Sequence, residues 1–303
     1  MDRNKKRLRS SLLAAASLAL LAGCMGEASQ TGDDIKQKVN EAGNSISHSI
    51  QDIASNVGEE LQSRSGRLEK SVSASMDQVA ADSALEVDNQ VGQIEIKPST
   101  GNALTAEAVI SSQDKKAFHA EREAILEEAT VSITAEDNEI RVHVHPKGDP
   151  SKDLWDWAEE KYGFSDFSID YIIEVPESLT VYNLENNVGN IKLQELAGAF
   201  QIKTDVGNVE MDQTAFTDDS VVTSNTGEIE LDIASLADKA SLKAKTDIGS
   251  LNAHLAKALK CTLDVSTDVG EITGAAKGES KINGGGPELS LSTDVGAINV
   301  SQS

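Results

Sequence analysis

The sequence predicts a mainly β protein: a parallel β-solenoid, single-stranded β-helix-like, of about six turns. A smaller α+β portion and a long amphipathic helix precede it. Three observations lead there. A phrase returns through the second half of the chain as Thr204-Asp205-Val206-Gly207, Thr246-Asp247-Ile248-Gly249, Thr267-Asp268-Val269-Gly270 and Thr293-Asp294-Val295-Gly296. Looser copies surround Gly189 and Gly227, and an isolated early one surrounds Gly92. Apolar and polar residues alternate on both sides of each glycine, and earlier in the chain an apolar residue recurs every 11 positions.

From Gly189 to Gly296 the glycines are 18, 20, 22, 21 and 26 residues apart, a period that marks stacked repeats. Apolar residues fall seven and five positions before the glycines, as at Phe200 and Ile202, and two and four after them, as at Val209 and Met211, with Ser220 and Gly274 as the exceptions. That is the period of a strand with one buried face. Each repeat therefore reads as two short strands around a sharp corner. Gly189, Gly207, Gly227, Gly249, Gly270 and Gly296 occupy the corner, at a backbone angle that a Cβ resists. Three positions earlier stands a small polar residue able to hydrogen-bond up the stack: Asn186, Thr204, Ser224, Thr246, Thr267 or Thr293. A single unit cannot bury its apolar face, whereas a stack can.

Residues 1–23 read as a lipoprotein signal peptide. Arg3, Lys5, Lys6, Arg7 and Arg9 precede a short apolar run, and Leu21-Ala22-Gly23-Cys24 stands at lipobox distance. The run is too short to span a membrane. Cleavage is expected after Gly23, with lipid on Cys24 and the protein on the outer face of a bacterial membrane. The formal charge of −23 falls to about −27 without the signal. So acidic a chain is no nucleic-acid binder and does not adsorb to anionic lipid by charge. With Cys24 committed to lipid, Cys261 has no disulfide partner and reads as a buried structural thiol.

After a tether over 24–32, residues 33–80 carry the 11-residue apolar repeat: Ile35, Ile46, Val57, Leu68 and Val79, with Val39, Ile50, Leu61 and Val72 beside them. This spacing predicts an amphipathic helical stalk about 70 Å long, weakened by Gly43, Gly58 and Gly66. Its stripe offers a surface for self-association, though the segment would serve equally as a plain tether. Residues 84–176 are expected to hold N-terminal strands at Ser83–Ile96, Leu104–Ser111, Ala129–Ala135 and Glu139–His145. A helix over Ser112–Glu128 would bury Phe118, Ile125 and Leu126. An aromatic insertion follows over Ser151–Phe167. The solenoid proper is expected over 177–303.

The repeated TDVGxI phrase, preceded by Ile173-Glu174-Val175-Pro176-Glu177-Ser178-Leu179, resembles the bacterial adhesin-like β-strand-repeat proteins, the toastrack family. The resemblance covers about Ala84 to Ser303. It implies an extracytoplasmic module linked to envelope stress or surface interaction. It carries over no catalytic residues.

The candidate sites are few. Trp155, Trp157, Tyr162 and Phe164 either cap an open part of the solenoid or form a surface for a glycan, peptide or lipid headgroup. Asp205, Asp247, Asp268 and Asp294 share one repeat position and line up as a ladder. Capping of each corner is the preferred reading, and Ca²⁺ held by oxygen ligands is the alternative. His143 and His145 lie on one face of a strand and are read as facing outward without a third metal ligand. His48, His119 and His254 have no visible partner. No nucleophile elbow, metalloprotease helix, phosphate loop or dinucleotide fingerprint occurs. The expectation is a non-enzymatic surface module without a cofactor or metal. It would be held to the membrane through Cys24 and meet an envelope or protein partner; a structural spacer is the alternative.

Overall fold

The computed structural model describes residues 66–80 and 83–302, all within one unit, Lys38–Ser303. The signal peptide, Cys24, the tether and most of the expected stalk lie outside the described residues. In chain order the elements are β1 (Arg67–Met76), β2 (Ala84–Val91), β3 (Ile94–Pro98) and β4 (Leu104–Gln113). Next come α1 (His119–Glu128), β5 (Ala129–Glu136), β6 (Glu139–Pro146), α2 (Leu154–Tyr162) and β7 (Phe167–Val175). The repeats supply β8 (Val181–Val188), β9 (Ile191–Gln194), β10 (Ala197–Val206), β11 (Val209–Phe216), β12 (Ser220–Thr226) and β13 (Ile229–Leu236). They continue with β14 (Ser241–Ile248), β15 (Leu251–Leu255), β16 (Cys261–Val269) and β17 (Ile272–Thr273), and end with β18 (Gly278–Ile282), β19 (Glu288–Val295) and β20 (Ile298–Gln302).

Each repeat contributes one strand to each of two sheets, and successive layers pair in parallel. In one sheet β2, β8, β10, β12 and β14 follow one another. In the other β3, β9, β11, β13 and β15 do the same. The apolar columns meet between the sheets: Phe200, Val222, Leu242, Leu263, Ile229, Leu251 and Ile298 are all fully buried. Tyr182 and Phe200 stack at 5.0 Å, and Phe200 meets Phe216 edge-on. The result is a solenoid-like parallel fold, mainly β.

Two expectations need correction. The last stretch of the expected stalk, Arg67–Met76, is a strand rather than a helix; it pairs antiparallel with β4 along its whole length. Leu68, Val72, Ala74 and Met76 alternate with Glu69, Ser71, Ser73 and Ser75, so period two prevails over period 11 once a sheet edge is within reach. The early copy around Gly92 is not part of a separate N-terminal portion. β2 and β3 are a full layer stacked on β8 and β9, so pairing crosses the expected boundary at residues 176 and 177. Beyond them β6 and β7 form a layer whose corner is opened by an insertion over 147–166 that carries α2.

The order of the layers departs from chain order. The last repeat does not sit at the end of the stack: β19 and β20 lie between β14–β15 and β16–β17. β16 and β17 thus form the outermost layer, and β18 pairs antiparallel along β16 to cover that edge. At the opposite end β4 and β1 extend one sheet and β5 the other, also antiparallel. Antiparallel strands at both ends interrupt the parallel repeat and guard against edge-to-edge association.

Candidate interaction surface

The corners explain the repeated phrase. Gly92, Gly189, Gly207, Gly227, Gly249 and Gly296 have φ between +131° and +157°, whereas Gly270, in the outermost layer, lacks the positive φ expected of it. At each, a Cβ would overlap the carbonyl oxygen of the corner residue one layer away. That same oxygen accepts the side chain of the polar column: Asn186 Nδ2 donates to Gly92 O (2.8 Å), Ser224 Oγ to Gly207 O (3.1 Å) and Thr246 Oγ1 to Gly227 O (2.9 Å). Thr293 Oγ1 reaches Gly249 O and Thr267 Oγ1 reaches Gly296 O, which independently fixes the inserted last layer. In the β6–β7 layer Ile169 takes the glycine's place. Only antiparallel β4 lies beyond it, so no parallel corner needs the room.

The aspartate column points outward and is arranged differently from either expected form. Asn225 Nδ2 donates to Asp205 Oδ1 at 2.8 Å. Lys245 Nζ lies 2.6 Å from Asp247 and 3.3 Å from Asp294, joining adjacent layers. The order of the stack puts Asp294 between Asp247 and Asp268. The caps of the corner backbone come instead from the next column, where Asn190 Oδ1 accepts from Asn208 N and Asn208 Oδ1 from Glu228 N, each at 2.9 Å. Asp170 serves Gln93 N in the same way. Beside these amides runs a polar groove of about 260 Å³, whose lining includes Lys192, Glu210 and Glu230. Lys192 pairs with Glu210 across a layer at 2.7 Å.

The aromatic insertion divides. Asp153 caps α2 by accepting from Trp155 N (2.7 Å) and Asp156 N (3.3 Å), and burial pushes its carboxyl above the usual range. On the inner side of α2 Trp155 is buried, stacked 5.4 Å from Phe167. It is core, so it leaves the expected surface set. On the outer side Trp157 meets Tyr162 edge-on at 5.7 Å, with Lys161 Nζ 4.5 Å over the indole. Phe164 lies 6.5 Å from Tyr162 and 5.2 Å from Phe118. Trp157, Tyr162 and Phe164 are half-buried.

Phe118, expected on the buried side of a helix, is instead 56% exposed at the N-cap of α1, with φ of +60°. The helix starts there because β4 runs on to Gln113 and consumes the residues expected to be helical. A bulky residue held in the left-handed region is an outlier that its surroundings must enforce. Here they do: buried Arg122 forms a fork to Asp166 (3.2 and 2.6 Å), bonds Ala117 O just before Phe118, and lies 5.2 Å from the Phe164 ring centre. Sequence reasoning missed Arg122 and Asp166, because 44 residues separate them and no local pattern links them.

Neither histidine of the β6 pair faces solvent as expected. His143 is half-buried and His145 is 7% exposed, because the chain after Pro146 folds back over them. Burial lowers the affinity of His143 for its proton. Cys261 is buried, and burial pushes its thiol up. Among the described residues no three or more His, Cys, Asp or Glu side chains converge on a metal-sized site.

Parallel two-strand layers, a glycine at each corner and a polar side chain bonded to the corner of the next layer define a solenoid-like β-repeat domain. Residues 168–301 match the family model Toastrack DUF4097, and this part of the chain belongs to the toastrack family. No curated protein matches the chain in sequence. Among solved structures the chain is similar to a proposed cell adhesion protein from Clostridium sporogenes, with 12% identity, 78% of this chain and 100% of that chain covered, and a TM-score of 0.41. A proposed adhesin from Bacteroides fragilis is similar at 15% identity over 77% and 97% of the two chains, with a TM-score of 0.39. Among the described residues no helix is long and apolar enough to cross a membrane.

Proposed function

We propose that this protein is a non-catalytic surface module, anchored through lipid on Cys24 to the outer face of a bacterial membrane, that meets a protein or cell-envelope partner. The single observation that carries the contact is Phe118. It is a large apolar side chain, exposed and conformationally strained, packed against Phe164 and backed by a buried Arg122. Exposed aromatic clusters beside cationic side chains suit peptide or glycan recognition, because they bring large contact area at low entropic cost. A role in envelope stress belongs to this reading as its biological setting. The calcium alternative loses support from Lys245, whose ammonium already lies between Asp247 and Asp294.

The test is photo-cross-linking in intact cells from a benzophenone residue at position 118, compared with one at Ser235, an exposed position of the repeats. A discrete adduct from position 118 alone supports the reading. Equal or absent adducts at both positions leave a structural spacer as the function. Labelling with a palmitate analogue, expected for the parent and lost in Cys24→Ser, decides the anchor separately.

A further inference from the structure

We propose that His143 and His145 form a two-nitrogen site for a borderline divalent transition-metal ion, Cu²⁺ ahead of Ni²⁺ and Zn²⁺, beneath the segment 147–152. The site starts from a break in strand alternation. Val142 and Val144 face the core, yet His145 and Pro146 are buried as well, and His143 is half-buried on the opposite face. What covers them is the returning chain. Lys147 N donates to Glu128 O, Asp149 N to Pro146 O and Lys152 N to Asp149 O, folding this segment back on β6. The two imidazole centres are 5.0 Å apart with planes inclined by 35°, close enough to share one ion.

The hydrogen bonds assign the protons. His143 Nε2 lies 2.9 Å from Pro150 O, and His145 Nδ1 lies 3.0 Å from Pro146 O. A carbonyl oxygen only accepts, so in the neutral rings those nitrogens carry the hydrogens. The lone pairs are then on His143 Nδ1 and His145 Nε2. Metal-binding histidines are typically held this way, with the second nitrogen donating to a backbone carbonyl.

A second observation points into the same place. His143 Nδ1 is buried without a hydrogen-bond partner, and so is Ser132 Oγ on the neighbouring strand. Ser132 and His143 are directly opposed in the β5–β6 register. Two orphaned polar atoms on directly opposed residues of a well-bonded protein call for something that contacts both. Asp149, on the covering segment, brings negative charge towards His145, and its Oδ1 is held by Ser151. Arg141, the next residue on this face, adds positive charge near His143, and Glu86 and Asp88 lie within its field as well. With only two imidazoles in place, water or an exogenous ligand completes the coordination. Such a nitrogen pair binds Cu²⁺ most tightly among the divalent first-row ions.

The experiment uses the full chain without an affinity tag, titrated with Cu²⁺ against a competing chelator and followed by electron paramagnetic resonance. The expected result is one ion per chain with coupling to two nitrogens. His143→Gln and His145→Gln should each weaken binding by at least about tenfold, the loss that even an outer-shell partner of a metal ligand can bring. His119→Gln, at a histidine paired with Asp114 and Glu123, should leave it unchanged. No binding, or binding that survives both Gln variants, overturns the proposal and leaves a buried water between Ser132 and His143. If a Gln variant fails to fold, paramagnetic broadening in the unaltered protein decides. Loss of the Ser132, His143 and His145 amide signals before all others supports the site, and earlier loss elsewhere overturns it.

Discussion

Thr246 donates its hydroxyl to the carbonyl oxygen of Gly227 at 2.9 Å, across one layer of the stack. This is the oxygen that a Cβ on Gly249 would strike. The two halves of the repeated phrase therefore act on one atom: the small polar residue satisfies it, and the glycine makes room for it. A buried carbonyl left unpaired would be costly.

Replacing Gly249 by alanine combines a φ of +152° with a backbone overlap, and neither is relieved by a side-chain movement. The expected loss is at least about 3 kcal/mol, since strain and overpacking add. Gly101, with open space around it, should accept alanine within about 0.5 kcal/mol. Urea unfolding of both variants checks this, and equal midpoints would refute it.

Thr246→Val keeps the shape and removes the donor, so it should cost about 1 kcal/mol. Thr204→Val should cost less, because Thr204 Oγ1 stands 3.5 Å from Gly189 O, at the limit of a useful bond. The ranking of the two midpoints is the observable, and the reverse order would count against the corner account.

Stability should rise as pH falls from 7 towards 5. Glu86, beside Glu139 and partly desolvated, has its carboxyl raised from an ordinary 4.5 to about 6. A carboxyl whose folded value exceeds its unfolded one binds protons more readily in the folded state. The repulsive penalty is therefore complete above about 6 and is relieved as pH drops from about 6 to 4.5. Burial raises Asp88, Asp153 and Asp170 in the same direction. Thermal melts should show the rise, and Glu86→Gln should flatten it; a parent melting temperature that falls over this window would contradict it.

The two tryptophans should separate in stability measurements. Trp155→Ala opens the core beside Phe167 and is expected to cost about 3–5 kcal/mol. Trp157→Ala loses the half-exposed contacts with Tyr162 and Lys161, worth about 1 kcal/mol. If position 157 proved as sensitive as 155, the outer cluster would be core as well.

Much of the architecture is legible in the chain alone, because it is local and repeated. Alternation around each glycine encodes strands with one buried face, and the fixed interval encodes stacking. The stretch over 67–76 misled because its 11-residue spacing and its alternation coexist; only the neighbouring β4 selects between them. Phe118 misled because its exposure depends on Arg122 and Asp166, which meet through the fold.

The sequence by itself determined the repeat, its corners and its buried columns. Tertiary structure alone decided which layer lies next to which. Thr267-Asp268-Val269-Gly270 and Thr293-Asp294-Val295-Gly296 are close to interchangeable as local units, so local preference cannot order them. The stack orders them by burial. Leu289, Leu291, Ile298 and Val300 suit an inner position with a neighbour on each side, whereas the two-residue β17 stops before Gly274, where an inner layer carries an apolar side chain. Placing the shorter, less apolar layer outermost leaves less unpaired edge and less apolar surface in water.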